Sequence, residues 1–287
     1  MRWGRNIGIL CLLLIAVWGS FPHERTVSTQ LQPKERDLVL IHGYNNRHRW
    51  GIEFLDTLAR HWGSGRIYLI YLNDSDRIWT RNIGGRTLIC IGSGRAGAGS
   101  QSIHEQAQIA ARKIAILQER GGLDDVYHVV AHSMGGLTAR ELAWIRPGEI
   151  EGLVTLGTPH QGTPLAEEFE WIGMFAGDSG ALADIRPASA KRFNRKFPAE
   201  KTPLAPGGRI YTISGDADHW GDRGWHGEVA AGWTLLRLKY GKDSDGIVME
   251  GDATLPGAVH VRRFDDLDHL ELIQDSRVAE TIAELLN

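Results

Sequence analysis

Cysteine is nearly absent from this sequence, with two residues among 287, Cys11 and Cys90. Cys11 lies inside an apolar N-terminal run, and removal of that run leaves Cys90 alone. An intramolecular disulfide is then excluded, so the fold must rest on core packing even in an oxidising compartment. No group of cysteines and histidines has zinc-site spacing, and nothing in the sequence fixes a calcium site. We therefore predict no metal.

An excess of charge of one sign is also missing, since 32 Lys and Arg residues face 35 Asp and Glu residues. The formal net charge is −3. Such a balance creates no overall field that recruits nucleic acid or anionic lipid, so composition implies neither partner. With 42% apolar residues, a chain of this length can form a single large α/β domain.

The apolar run at residues 7–18 covers 12 residues behind Arg2 and Arg5. A membrane-spanning helix needs roughly 20 apolar residues, so this run is typical of a secretory signal instead. We predict a signal peptide at residues 1–20, a polar linker at 21–36, and export to the periplasm or the extracellular space. Trp18 is a poor neighbour for the cleavage site, so an uncleaved N-terminal membrane anchor stays open as the alternative.

Residues 37–287 alternate short apolar runs with helical patterns, which predicts a mostly parallel sheet with helices on both faces. Ser102 and Glu105 have capping-box spacing at the start of one helix. The predicted strands are 37–41, 67–72, 87–91, 126–131, 153–156, 209–214 and 260–264. The predicted helices are 49–62, 102–117, 137–145 and 275–287.

The strongest chemical signal is Ser133, between an apolar strand and a helical pattern. A serine on a tight strand-to-helix turn has strained backbone geometry that exposes its hydroxyl, and its neighbours two residues away must be small. Gly135 meets that requirement and Ala131 nearly does. The first amides of the following helix would also face a developing oxyanion. The alternative is an ordinary turn with an incidental serine.

Four blocks of sequence, followed by His269, carry a resemblance to a known family. They are residues 38–45 (Leu-Val-Leu-Ile-His-Gly-Tyr-Asn), 131–136 (Ala-His-Ser-Met-Gly-Gly), 157–164 (Gly-Thr-Pro-His-Gln-Gly-Thr-Pro) and 243–248 (Asp-Ser-Asp-Gly-Ile-Val). In this order they resemble a bacterial lipase or esterase of the α/β-hydrolase superfamily, over nearly all of residues 37–287. Ala131 replaces the usual first glycine of the serine motif, as it does in one branch of small lipases. The resemblance implies an α/β-hydrolase fold and serine-dependent hydrolysis of carboxylic esters.

The same resemblance implies an oxyanion hole made of backbone N–H groups. The residue after the His-Gly pair supplies the first donor, which is Tyr44 here, and Met134, after the nucleophile, supplies the second. Gly43 lets the backbone come close to the substrate. Without the serine motif downstream, this segment would read as a strand-ending turn with no catalytic duty.

The superfamily orders its catalytic residues as serine, acid and histidine. His269, after the last strand and before the last helix, is the histidine that best fits this order. Asp245 resembles the acid-bearing segment of lipases and is the predicted acid. Asp218, directly after the strand at 209–214, remains the alternative acid, because it needs no insertion of about residues 220–242 between strand and acid.

Residues 160–206 are predicted to form a cap insertion over the serine. Its apolar side chains, among them Leu165, Phe169 and Leu182, would then favour an apolar acyl chain. The equal alternative is that they are core residues of an extra helix. The predicted partner is an ester or lipid substrate, with membrane association through the N-terminal segment or the cap left open and no obligate protein partner implied.

A glycine pattern at residues 92–97 matches G-x-G-x-x-G after a strand. The next helix begins too late, and no acidic residue ends a second strand at the expected distance, so we predict no dinucleotide or other cofactor. Two other functions stay open beside ester hydrolysis. One is acyl transfer to an alcohol with the same residues, and the other is ligand binding by a non-catalytic α/β-hydrolase relative.

Overall fold

The computed structural model describes residues 34–44, 50–94, 98–172, 179–217 and 227–286. The predicted signal peptide and most of the predicted linker lie outside these residues. None of the helices in the described ranges is long and apolar enough to cross a membrane.

Within the described ranges, eight strands form one sheet in the order β3-β4-β2-β1-β5-β6-β7-β8. Neighbouring strands pair in parallel, except β3 and β4, which pair antiparallel. The mostly parallel sheet is therefore confirmed. The strands are β1 (Asp37–Ile41), β2 (Ile67–Ile70), β3 (Ile78–Ile83), β4 (Arg86–Ile91), β5 (Tyr127–His132), β6 (Ile150–Leu156), β7 (Arg209–Gly215) and β8 (Val259–Phe264).

Eight α-helices accompany the sheet in the same ranges. They are α1 (Ile52–Trp62), α2 (Ile103–Ile116), α3 (Met134–Ile145), α4 (Leu165–Ile172), α5 (Ser179–Asp184), α6 (Pro187–Lys196), α7 (Gly227–Tyr240) and α8 (Ser276–Leu285). The predicted capping box at the start of α2 is confirmed, since Ser102 and Glu105 bond reciprocally there. The helix predicted to start at residue 49 begins later, at Ile52.

The alternation of side chains along the strands divides the core between the two faces of the sheet. On one face, Leu38 and Leu40 of β1 belong to a cluster that includes residues of α1 and α8. On the other face, Val39 and Ile41 belong to a cluster that includes residues of α2 and α3. Because β1 is buried on both faces, it reads in the sequence as a continuous apolar run.

The connection from β6 to β7 contains α4, α5 and α6, which lie within the predicted cap insertion. Leu182 and Ile185 from this connection pack with Met134 and Leu137 of α3 in a third apolar cluster. The connection therefore lies against the helix that follows Ser133. Residues 173–178 fall outside the described ranges.

Candidate active site

The candidate residues follow neighbouring strands of the sheet at the points where those strands end. Tyr44 follows β1, Ser133 follows β5, Asp245 follows β7 and His269 follows β8. Since these strands are parallel, their carboxyl ends lie at one edge of the sheet, where α/β proteins bind their ligands. The fold thus gathers residues more than 200 positions apart into one site.

Ser133 sits at a sharp turn between β5 and α3, with φ 55° and ψ −133°. It is the non-glycine residue with positive φ in the described ranges, a conformation that side chains rarely adopt. A Cβ at position 135 would lie 2.4 Å from the carbonyl oxygen of His42, so glycine is needed for the turn to pack against β1. The strained strand-to-helix turn expected from the sequence is therefore present.

His269 lies on the loop between β8 and α8, and its Nε2 is 2.9 Å from the Ser133 hydroxyl oxygen. Hydrogen bonds of the Asp268 and His132 side chains help to hold the backbone of this loop. Asp268 Oδ1 accepts hydrogen bonds of 2.8 Å from the N–H groups of Leu270 and Glu271. His132 donates from Nε2 to the carbonyl oxygen of His269 over 2.8 Å. The backbone that carries the imidazole is thus fixed while Nε2 faces the serine hydroxyl.

Asp245 lies on the other side of the imidazole, with its Oδ2 2.8 Å from His269 Nδ1. Its Oδ1 accepts hydrogen bonds from the N–H groups of Ile247, at 2.9 Å, and Val248, at 2.7 Å. The residue is 1% exposed. A buried carboxylate that is fully hydrogen-bonded can orient and stabilise an imidazolium. The alternative acid, Asp218, lies outside the described residues.

The backbone at Gly43 passes directly beside the serine, since a Cβ at position 43 would lie 2.8 Å from Ser133 Cβ. His42 Nδ1 donates to the Gly43 carbonyl oxygen at 2.7 Å, and its Nε2 accepts from the N–H of Leu72 at 3.0 Å. In a trans peptide the N–H of Tyr44 points opposite to that carbonyl, and therefore away from the His42 ring.

Burial lowers the pKa of His42 from 6.5 to about 4, so the ring is neutral and keeps both of these bonds at neutral pH. The sequence marked His42 only as part of a motif. Its role in holding the peptide of Tyr44 emerges from the structure.

Gly157 is a further site residue that the sequence analysis did not single out. It follows β6 with φ 53°, and a Cβ there would lie 2.8 Å from Asp245 Oδ2 and 3.0 Å from His269 Nδ1. Nearby, Thr163 donates its hydroxyl to the carbonyl oxygen of Ile247 at 2.7 Å, which ties this segment to the loop of the acid. The segment 157–164 thus packs against Asp245, His269 and the loop that carries Asp245.

A family model described as the alpha/beta hydrolase fold matches residues 38–200 of this sequence. The chain belongs to the α/β-hydrolase family. A search of curated protein sequences finds no match.

Several solved structures resemble this α/β-hydrolase. Because their sequence identities are low, the likeness supports the fold alone. The mature form of a Bacillus licheniformis lipase matches with a TM-score of 0.64 at 18% identity, over 90% of this chain and 95% of that chain. A metagenomic carboxyl esterase matches with a TM-score of 0.57 at 17% identity, over 92% and 79% of the two chains. Lipase 1 from Pelosinus fermentans matches with a TM-score of 0.55 at 15% identity, over 88% and 98%.

The α/β-hydrolase core carries an apolar cluster next to the turn at Ser133. Met134, the first residue of α3, packs there with Ile103 of α2 and with Ala181, Leu182 and Ile185 of the β6–β7 connection. Tyr44 and Phe193 pack against the same cluster. The region beside Ser133 is thus apolar on the side of this connection. The glycine pattern at 92–97, by contrast, follows β4 but is separated from α2, which starts at Ile103.

Proposed function

We propose that this α/β-hydrolase cleaves carboxylic esters through an acyl intermediate on Ser133. The observation that carries the proposal is the hydrogen-bonded chain from Asp245 through His269 to Ser133, with contacts of 2.8 and 2.9 Å. These lengths lie within the range required for a nucleophile, its base and the group that orients the base. The strained turn at Ser133 supports the same assignment.

In the acylation step, Ser133 Oγ attacks the ester carbonyl carbon while His269 Nε2 takes the hydroxyl proton. Asp245 holds the proton on Nδ1, so that the lone pair of Nε2 faces the serine. The carbonyl oxygen becomes an oxyanion, which the backbone N–H groups of Tyr44 and Met134 would bind. When the tetrahedral intermediate collapses, the imidazolium gives its proton to the departing alcohol oxygen.

Deacylation repeats these steps with water as the nucleophile. His269 removes a proton from water as the water oxygen attacks the acyl carbon, and then returns a proton to Ser133 Oγ. The free carboxylic acid leaves, and the enzyme is regenerated. The imidazole thus acts as base and acid in turn, and its orientation must be held throughout. The contacts of Asp245 with the ring and of His132 with the backbone of His269 support this orientation.

The acyl group of the substrate is proposed to be apolar, because the side chains packed around Met134 are apolar. Nitrophenyl esters with acyl chains longer than acetate should be hydrolysed faster than nitrophenyl acetate. Replacement of Leu182 by Asp should remove that preference while acetate is still cleaved. A preference for acetate over every longer chain in the unmodified protein would contradict the apolar acyl site.

The test of the nucleophile is Ser133→Ala, with Ser276→Ala at the start of α8 as the matched control. We expect Ser133→Ala to lower ester turnover by at least ~10³-fold, because the covalent step has no substitute nucleophile. A fluorophosphonate probe should label the unmodified protein and the control, but not Ser133→Ala. Near-normal turnover by a folded Ser133→Ala protein would contradict the proposal.

We also propose export of the protein, from the apolar run and the arginines before it. N-terminal sequencing of the chain from a periplasmic or culture fraction should find a start near Phe21. Recovery of the chain with Met1 still present in the soluble cytoplasmic fraction would rule export out.

A further inference from the structure

Residues 186–201 carry six Lys and Arg residues and one acid, Glu200, in a chain whose net charge is −3. The slightly negative net charge of the chain therefore coexists with a strongly basic segment at residues 186–201. Most of this segment is α6, a helix of 10 residues in the connection between β6 and β7. A local field of this kind can recruit an anionic partner even when the whole molecule is slightly acidic.

The basic residues of α6 lie on its outer side. Lys191, Arg192, Arg195 and Lys196 are all exposed. Within the described ranges none of the four forms an ion pair with an acidic side chain. Arg192 bonds to the hydroxyl of Ser189 at 2.8 Å, and Lys196 lies 4.8 Å from the ring centroid of Phe197. Their charges are thus available to an external partner.

Acidic side chains near α6 already have partners. Asp184 accepts a hydrogen bond of 2.8 Å from the N–H of Ile103. Glu141, whose side chain is 6% exposed, contacts His104 Nδ1 at 2.6 Å. Both acids line a cleft of 220 Å³ together with Arg192, Phe193 and Lys196. These two carboxylates keep their negative charge, but they are fewer than the four exposed cations of α6 and therefore offset them only in part.

Apolar and aromatic groups accompany the cations. Trp144 of α3 is 36% exposed, and its ring centroid lies 6.0 Å from that of Phe197, just after α6. On the inner side of α6, Phe193 packs against the apolar cluster that contains Met134, the residue after Ser133. Tryptophan beside lysine and arginine is the combination that favours the interface between lipid headgroups and acyl chains.

We propose that α6 and Trp144 form a surface that binds anionic lipid headgroups at a membrane. The exposed cations contact lipid phosphates, and Trp144 lies at headgroup depth. Lipid is favoured over nucleic acid because the exposed indole of Trp144 accompanies the cations, as at a membrane–water interface. This inference concerns binding and goes beyond the proposed ester hydrolysis. Since vesicle binding is measured without turnover, its failure is distinguishable from failure of the hydrolase proposal.

The test uses the full chain with two variants of equal charge change. In the α6 variant, Lys191, Arg192, Arg195 and Lys196 are replaced by Glu. In the control variant, four exposed arginines on other segments are replaced by Glu: Arg77, Arg120, Arg209 and Arg262. The N-terminal segment is the same in all three proteins, so any contribution it makes to binding cancels. Thermal melting checks that each variant is folded.

Co-sedimentation is measured with phosphatidylcholine vesicles, with and without phosphatidylglycerol. The unmodified protein and the control variant should bind the phosphatidylglycerol vesicles in preference, and added salt should release both. The α6 variant should lose at least ~100-fold in partition coefficient, because each cation near an anionic surface contributes several-fold.

Equal binding by the α6 variant and the unmodified protein would overturn the proposal. So would an equal loss in the control variant, since binding would then follow total charge. Binding to single-stranded DNA, with no preference for phosphatidylglycerol vesicles, would assign the surface to nucleic acid instead.

Discussion

The carboxylate of Asp245 faces a different kind of partner on each oxygen. Two backbone N–H groups fix Oδ1, and Oδ2 is left for the imidazole of His269. Because a backbone N–H group can only donate, these two groups set the direction of the carboxylate whatever the protonation state of the imidazole. The position of Oδ2 therefore favours the imidazole tautomer with its proton on Nδ1, whose Nε2 lone pair faces Ser133.

Replacement of Asp245 by Asn tests whether Oδ2 sets the tautomer of His269, because it changes a single side-chain atom. An amide nitrogen at the place of Oδ2 would donate and favour the wrong tautomer, so kcat should fall by about 10⁴-fold, as in the serine-protease triad. Asp243→Asn is the matched control, because Asp243 is a neighbouring aspartate that pairs with Arg237 at the surface. Asp218→Asn should have a mild effect, and a larger loss there than at Asp245 would reverse the assignment.

His42 links a single pKa to the pH dependence of folding. The unfolded chain protonates this ring as the pH falls through about 6.5, whereas burial in the folded protein delays protonation to about pH 4. Between these pH values the unfolded state binds more protons, so the free energy of unfolding falls as the pH falls. His42 alone should account for about 3 kcal/mol of that loss.

Urea unfolding at pH 7 and pH 4.5 measures this contribution. His42→Asn removes the titrating ring, so its free energy of unfolding should change less between the two pH values than that of the unmodified protein. His104→Asn, at an exposed position, serves as the control and should keep the full change. Equal pH dependence in the His42 variant and the unmodified protein would show that another group is responsible.

Single residues were predictable where the chemistry has a sequence signature. The structure brings Ser133, His269 and Asp245 together, whereas sequence alone left Asp245 and Asp218 both open. Which of the two aspartates contacts His269 depends on the path of the chain between β7 and β8, and no local sequence pattern determines that path. The roles of His42 and Gly157 depend on contacts with distant segments, so their neighbours in sequence could not reveal them.

At the scale of elements, a buried polar network connects α3 to α6. Arg140 of α3 donates to the Asn194 side-chain oxygen at 2.8 Å and to the Phe197 carbonyl oxygen at 2.6 Å. It also lies 3.4 Å from His160 Nδ1, and the other ring nitrogen of His160 contacts Thr155 of β6. Burial lowers the pKa of Arg140 to about 10, so it stays charged at neutral pH.

Arg140→Met should therefore destabilise the protein more than most substitutions. The side chain is 0% exposed, and its removal leaves the acceptors on α6 and on His160 buried without their donor. The expected loss in free energy of unfolding is about 2–4 kcal/mol. Arg195→Met, at an exposed position on α6, should stay within about 0.5 kcal/mol. Equal effects of the two substitutions in urea unfolding would show that the network carries no stability.

Outside the predicted cap insertion, one strand and one α-helix of the described ranges are missing from the sequence-based prediction, each for a physical reason. The strand β3 lies at the sheet edge, where its side chains are mostly half-exposed and its sequence mixes apolar with polar residues. It therefore lacks the apolar run that marked the other strands. The helix α7 falls within the region expected to be an insertion before Asp245. Its apolar residues do not gather on one face, so no helical period distinguished it.

At the scale of the whole molecule, stability rests on two apolar layers, one on each face of the sheet. The sequence predicted this architecture well, because parallel strands buried on both faces show as apolar runs and the helices between them show a period of 3.6 residues. How the β6–β7 connection packs on α3 was less predictable, since it depends on long-range contacts such as those of Leu182 and Ile185.

Cys90 provides the test of a fold held by packing alone. It is the free cysteine of the described ranges, it is 0% exposed, and burial raises the pKa of its thiol to about 12. It lies in the apolar cluster shared with α1 and α8. For the chain that starts after the predicted signal, a reductant should leave Tm unchanged, and alkylating reagents should reach Cys90 only on unfolding.

Two substitutions then separate the packing role of this thiol from any chemical role. Cys90→Ala leaves a small cavity and should cost about 1 kcal/mol in free energy of unfolding. Cys90→Ser places a hydroxyl among apolar side chains and should cost about 1–3 kcal/mol beyond that. If the thiol acts only as an apolar filler, both variants keep full ester turnover while folded. A Tm that falls when the unmodified protein is treated with reductant would show instead that a disulfide contributes to the stability of this chain.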